Sequence, residues 1–122
     1  NAVFMSSPGS ATDHDLGLFR TADPQPRPPQ GLGLYHLAWE VATLDELRQA
    51  RARLTEMGAL VGESNHHVSR SLYAQDPDGI EFEVMWEVPL ERVTDGGAMT
   101  APLDLDAAEA EFGATTPGRG AG

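Results

Sequence analysis

The sequence predicts an α+β fold: four strands and one helix in the order β-α-β-β-β, with the helix covering one face of the sheet. Three observations carry that reading. Residues 34–41 and 80–88 alternate apolar and polar side chains with the period of two that a half-buried strand requires. Between them, Thr43-Leu44-Asp45-Glu46 has the form of a capping box and opens a stretch whose apolar residues recur at helical spacing. Asp76-Pro77-Asp78-Gly79 then supplies turn chemistry directly before the last strand, with Pro pre-setting φ and Gly free to take φ > 0.

Taken in order, residues 1–20 hold two short apolar stretches, Ala2-Val3-Phe4-Met5 and Leu16-Gly17-Leu18-Phe19, and read as two strands joined by a turn. Residues 21–33 carry four Pro and two Gly, which sustain neither helix nor central strand, and read as a linker. Residues 34–89 are the complete β-α-β-β-β unit. Its first strand, Leu34–Val41, turns Tyr35, Leu37, Trp39 and Val41 to one face as the packing set and Leu34, His36, Ala38 and Glu40 to the other. The helix lines up Leu47, Ala50, Leu54 and Met57 and ends at Gly58. The second strand begins at Leu60-Val61, the third runs from Ser69 to Gln75, and the fourth from Ile80 to Val88. In the fourth, Ile80, Phe82, Val84, Trp86 and Val88 share the apolar face, and Glu81, Glu83, Met85 and Glu87 the other. Residues 90–122 form an extension with one short amphipathic helix inside Leu103–Phe112 and a disordered tail from Gly113.

Composition limits the function. The chain has 122 residues and 13.1 kDa, enough for one modest domain. Eight Arg and no Lys against nineteen Asp plus Glu give a net charge of −11, which argues against nucleic acid and anionic lipid as partners. With no Cys there is no disulfide framework, thiolate metal site or Cys nucleophile. No apolar run approaches the roughly 20 residues of a membrane helix, and the N-terminus lacks the basic and apolar regions of a secretory signal. The expectation is a soluble, cytoplasmic protein.

Four histidines, His14, His36, His66 and His67, fall within or just before the folded region. Imidazole and carboxylate without thiolate suit Fe(II), Mn(II), Zn(II) or Ni(II). Each residue also has a plain structural reading. His36 can be a satisfied core histidine, Glu83 a solvated glutamate, His66 and His67 turn residues, and Tyr73 a core aromatic with its hydroxyl bonded. Residue by residue, both readings stand.

The combination is more specific. His36-Leu37-Ala38-Trp39-Glu40-Val41, then His66-x-x-Ser69-Arg70-Ser71-Leu72-Tyr73, then Asp76-Pro77-Asp78-Gly79-x-x-x-Glu83 follow in fixed order. Together they resemble the second β-α-β-β-β module of the vicinal oxygen chelate superfamily, which includes glyoxalases, bleomycin-resistance proteins and extradiol ring-cleaving dioxygenases. His14-Asp15-Leu16-Gly17-Leu18-Phe19 resembles the strand that closes the first module in catechol 2,3-dioxygenase-like members. The resemblance implies that His36 and Glu83 are metal ligands. It implies that His14 handles protons and dioxygen near the metal, that His66 stands beside the substrate, and that Tyr73 hydrogen-bonds the substrate oxygens. Fe(II) is the implied cofactor, with Mn(II), Zn(II) or Ni(II) as alternatives, and a small catecholic aromatic plus dioxygen are the implied substrates. Two other members of the superfamily offer alternatives: a non-catalytic bleomycin-resistance-like binding protein and a glyoxalase-like isomerase.

Three departures from the family pattern accompany the resemblance. The first module is present only as its last strands, and the third ligand, a His on that module's first strand, has no counterpart before His14; the chain reads as a shortened form. Ile80 stands where Asn is usual, and His67 where Gly is usual. Half of a paired-module fold also leaves an open sheet edge, which implies a homo-oligomer.

Overall fold

The structure is a computed structural model that describes residues 1–25, 32–97 and 100–121. It divides into two units, Asn1–Gly33 and Leu34–Gly122. Residues 26–31 of the linker expected at 21–33 lie outside the described residues.

In the first unit, β1 (Ala2–Met5) pairs antiparallel with β2 (Leu16–Phe19), from Ala2 opposite Phe19 to Met5 opposite Leu16. The connection is organised by one carboxylate. Asp15 accepts the Ser7 amide at 2.8 Å and the hydroxyls of Ser7, Ser10 and Thr12 at 2.8–2.9 Å. Those bonds hold its pKa well below the usual carboxylate range, the Ser7 amide contributing most.

In the second unit, β3 (His36–Glu40) leads into α1 (Leu44–Glu56), β4 (Leu60–Asn65), β5 (Ser69–Gln75) and β6 (Glu81–Glu87). The spatial order is β3-β6-β5-β4; β3 lies parallel to β6, and the other neighbours are antiparallel. The α1 crossover allows that parallel pairing. Thr43 caps α1 by accepting the Glu46 amide at 3.2 Å, while the Glu46 carboxylate reaches back to the Ala42 amide at 2.8 Å. At the other end Gly58 takes φ +67°, with Gly58 N–H bonded to Thr55 and Ala59 N–H to Leu54, a Schellman closure. The turn before β6 is built on Asp76, whose side chain accepts the amides of Asp78 and Ile80.

One sheet face packs on the helices. Leu44, Leu47 and Leu54 of α1 form the core with Leu72, Ala74, Trp86 and Val88, joined by Leu105, Ala108 and Phe112 from α2 (Leu105–Phe112). Three expectations differ from this arrangement. Met57 caps α1 instead of extending its apolar stripe and is 76% exposed, because Gly58 turns the chain away there. Tyr35 and Leu37 are exposed, because β3 ends the sheet and α1 packs on the other three strands.

The tail from Gly113 is the third difference. Trp86 Nε1 donates to the Thr116 carbonyl, Gly118 N–H to Ala42, Arg119 N–H to Glu87 and Gly120 N–H to the Glu40 carboxylate. The chain therefore lies against the ends of β3 and β6. Its low apolar content hid this, because the segment is held through backbone groups and small glycines: a Cβ at Gly118 would stand 3.0 Å from the Trp86 ring.

Candidate active site

The second sheet face gathers most of the residues marked from sequence. Strand register dictates this: His36 pairs with Glu81, Ala38 with Glu83, and Tyr73 with Glu83, and side chains of paired residues share a face. His36 Nε2 lies 3.2 Å from Glu83 Oε2, and Glu83 is buried at 7% exposure. The other ring nitrogen, Nδ1, is buried and has no hydrogen-bond partner among the described residues, with the Glu81 carboxylate 3.9 Å away.

A second pair stands beside the first. The Tyr73 hydroxyl and His66 Nε2 share a 2.8 Å hydrogen bond, and the His36 and Tyr73 rings meet edge to face at 6.0 Å. Burial pushes the Tyr73 phenol pKa up, and the charge and hydrogen bonding of Glu83 add to the shift. With its proton on Nε2, His66 donates to the phenol oxygen and leaves the phenol O–H free to donate elsewhere on this face. Four titratable side chains, His66, Tyr73, Glu83 and His36, thus stand together at this face.

Nitrogen and oxygen donors without sulfur match the chemistry of Fe(II), Mn(II), Zn(II) or Ni(II), and the adjacent Nε2 and Oε2 are of the donor types that a two-histidine, one-carboxylate set uses. Among the described residues no group of three such side chains is gathered. His14 belongs to the hairpin unit, where its Nδ1 is 2.9 Å from Asp13 and its ring packs on Phe4 at 4.8 Å.

The sequence model of the glyoxalase/bleomycin resistance protein/dioxygenase superfamily matches residues 2–84, from the first hairpin strand to within β6. The chain belongs to that superfamily. Of its curated proteins, the catechol-2,3-dioxygenase of Bacillus subtilis (strain 168) is 44% identical over 57 residues, 47% of this chain. The chain covers 20% of that relative's length. No solved structure matches it significantly.

In this superfamily member, sequence reasoning undervalued three site neighbours. Glu81 counted only as one of several outer glutamates, although alternation already put it on the face of Glu83. Tyr35 counted as a packing residue, whereas its ring lies 4.9 Å from that of His36. Ser71, fully buried two residues before Tyr73, shares its sheet face and pulls the Tyr73 pKa down against burial and Glu83. No helix among the described residues is long and apolar enough to cross a membrane.

Proposed function

We propose that the protein is a cytoplasmic extradiol ring-cleaving dioxygenase for a small catechol, with His36 and Glu83 as two of its metal ligands. The observation that carries the proposal is the juxtaposition of His36 Nε2 and Glu83 Oε2 at 3.2 Å, with the Tyr73–His66 pair on the same face. The relative's printed name and the superfamily's inclusion of dioxygenases support the same reading. The remaining protein ligand comes from outside this pair.

Fe(II), when bound, supplies the redox chemistry that lets dioxygen react with a catecholate. The protein's own residues orient the substrate and move its protons. Tyr73, held protonated by burial and by Glu83, donates a hydrogen bond to one catechol oxygen. His66 holds the phenol in that orientation and passes a proton through it. His14 has the part of a proton donor on the dioxygen side, by resemblance alone. The ring bond beside the two hydroxyls breaks, and both atoms of dioxygen enter the product.

The protein loaded anaerobically with Fe(II) is expected to turn catechol and air into a yellow product with one dioxygen consumed per catechol. Stoichiometric iron without product contradicts the reading. Tight metal-independent binding of an aromatic ligand, unchanged in His36→Ala, would favour the bleomycin-resistance-like alternative. The proposal includes self-association: β3 ends the sheet, and Tyr35, Leu37 and Ile80 beside that edge are 72%, 36% and 49% exposed.

A further inference from the structure

The turn that carries His66 is fastened on both sides to the C-terminal extension. Before His66, Asn65 exchanges two backbone hydrogen bonds with Ala101, at 2.8 and 2.9 Å. After it, His67 Nε2 donates to the Thr94 carbonyl. The His67 ring also lies directly on the backbone of Gly97, where a Cβ would stand 1.9 Å from Nδ1. Only glycine at position 97 admits the ring.

His67 is also the one non-glycine residue with positive φ among the described residues, at 67°. A side chain is strained in that region, and glycine takes it freely. Here the conformation is tied down: His67 N–H donates to the Asn65 side chain at 2.9 Å, and its carbonyl accepts from Arg70 Nη1 at 3.1 Å. Glycine would make the same turn without strain but without a ring to reach Thr94. The peptide between residues 66 and 67 is itself held, its carbonyl by Val68 N–H and its N–H by Asn65, so the turn moves as one piece; without the ring that piece loses its tie to Thr94, and its movement carries the His66 side chain with it. A 2.8 Å hydrogen bond tolerates only a few tenths of an ångström of such movement.

We propose that His67 is a positioning residue whose imidazole, seated between Thr94 and Gly97, fixes the backbone beside His66 and thereby aims His66 Nε2 at the Tyr73 hydroxyl. The inference rests on reading His66 and Tyr73 as active-site groups, but its test does not need turnover. Ring-nitrogen NMR of the full chain at one neutral pH reports the His66 tautomer directly. The wild type is expected to show two well-separated His66 nitrogen shifts, as for a single tautomer. In His67→Gly, and independently in Gly97→Ala, those shifts should move toward their tautomer-averaged values. His67→Asn should restore the separation, since Asn tolerates positive φ and its amide can donate to Thr94.

Unchanged His66 shifts in both His67→Gly and Gly97→Ala, with the fold intact by circular dichroism, overturn the proposal; the ring then only fastens the extension. If His67→Gly fails to fold, Gly97→Ala and His67→Asn decide by the same readout. In an active wild type, His67→Gly should lower kcat with KM unchanged. If no form turns over catechol while the His66 shifts move as expected, the dioxygenase reading fails and the positioning role stands.

Discussion

At the scale of single residues, Tyr73 and Glu81 carry the most specific expectations. Tyr73→Phe keeps the ring contacts and removes only the hydroxyl between His66 and Glu83. Loss of a positioned proton donor is expected to lower kcat by about 10²–10⁴-fold while metal binding persists, which steady-state kinetics and iron analysis check together. The raised phenol pKa also fixes a pH dependence. The folded chain holds the Tyr73 proton more tightly than the unfolded chain, whose phenol titrates near 10. Below that pH the group contributes no pH dependence. Above it the unfolded chain ionises first and stability falls until the folded phenol ionises too. Denaturant unfolding of wild type and Tyr73→Phe between neutral and strongly alkaline pH should show that component only in the wild type. Glu81, 3.9 Å from the buried Nδ1 of His36, is placed to orient the ring from behind. Glu81→Ala is expected to weaken metal affinity by about 10–100-fold, the range for partners of metal-bound histidines, as equilibrium dialysis would measure.

At the scale of elements, the edge strand and the C-terminal segment separate what local pattern can reveal from what it cannot. The β-α-β-β-β order, the capping box, the Gly58 stop and the Asp76 turn were legible because each is written in a few neighbouring residues. The polar face bearing His36 and Glu83 was legible from alternation alone, since a period of two assigns faces without any partner. The pairing of His36 with Glu81 was not, because register belongs to two strands more than forty positions apart. The packed tail was hidden for a related reason: its bonds to Ala42, Glu87 and Glu40 use backbone groups, which every sequence has. That packing has a measurable consequence. Trp86 is fully buried against Phe112 and donates to Thr116, so ending the chain after Phe112 exposes the indole and leaves its N–H without that acceptor. The truncated chain is expected to be destabilised by about 1–3 kcal/mol, the range for a lost buried hydrogen-bond partner, with a red-shifted tryptophan emission. Unaltered chemical denaturation and emission would show that the tail contributes nothing to the fold.

The whole molecule is an acidic member of the glyoxalase/bleomycin resistance protein/dioxygenase superfamily, with a sheet of one apolar and one polar face and an adjacent His36–Glu83 pair on the polar one. The exposed apolar groups beside β3 lead to an expectation at this scale: light scattering after size exclusion should give at least twice the 13.1 kDa chain mass. A monomer at all concentrations would contradict it. On the proposed function, His36 and Glu83 bind one divalent ion together. Anaerobic equilibrium dialysis of the full chain with Fe(II), run beside His36→Ala and Glu83→Ala, tests it most directly. The wild type should hold one ion per chain, and each variant separately should lose it, with all three chains folded. Equal iron retention by the wild type and both variants, or none by the folded wild type, would contradict it.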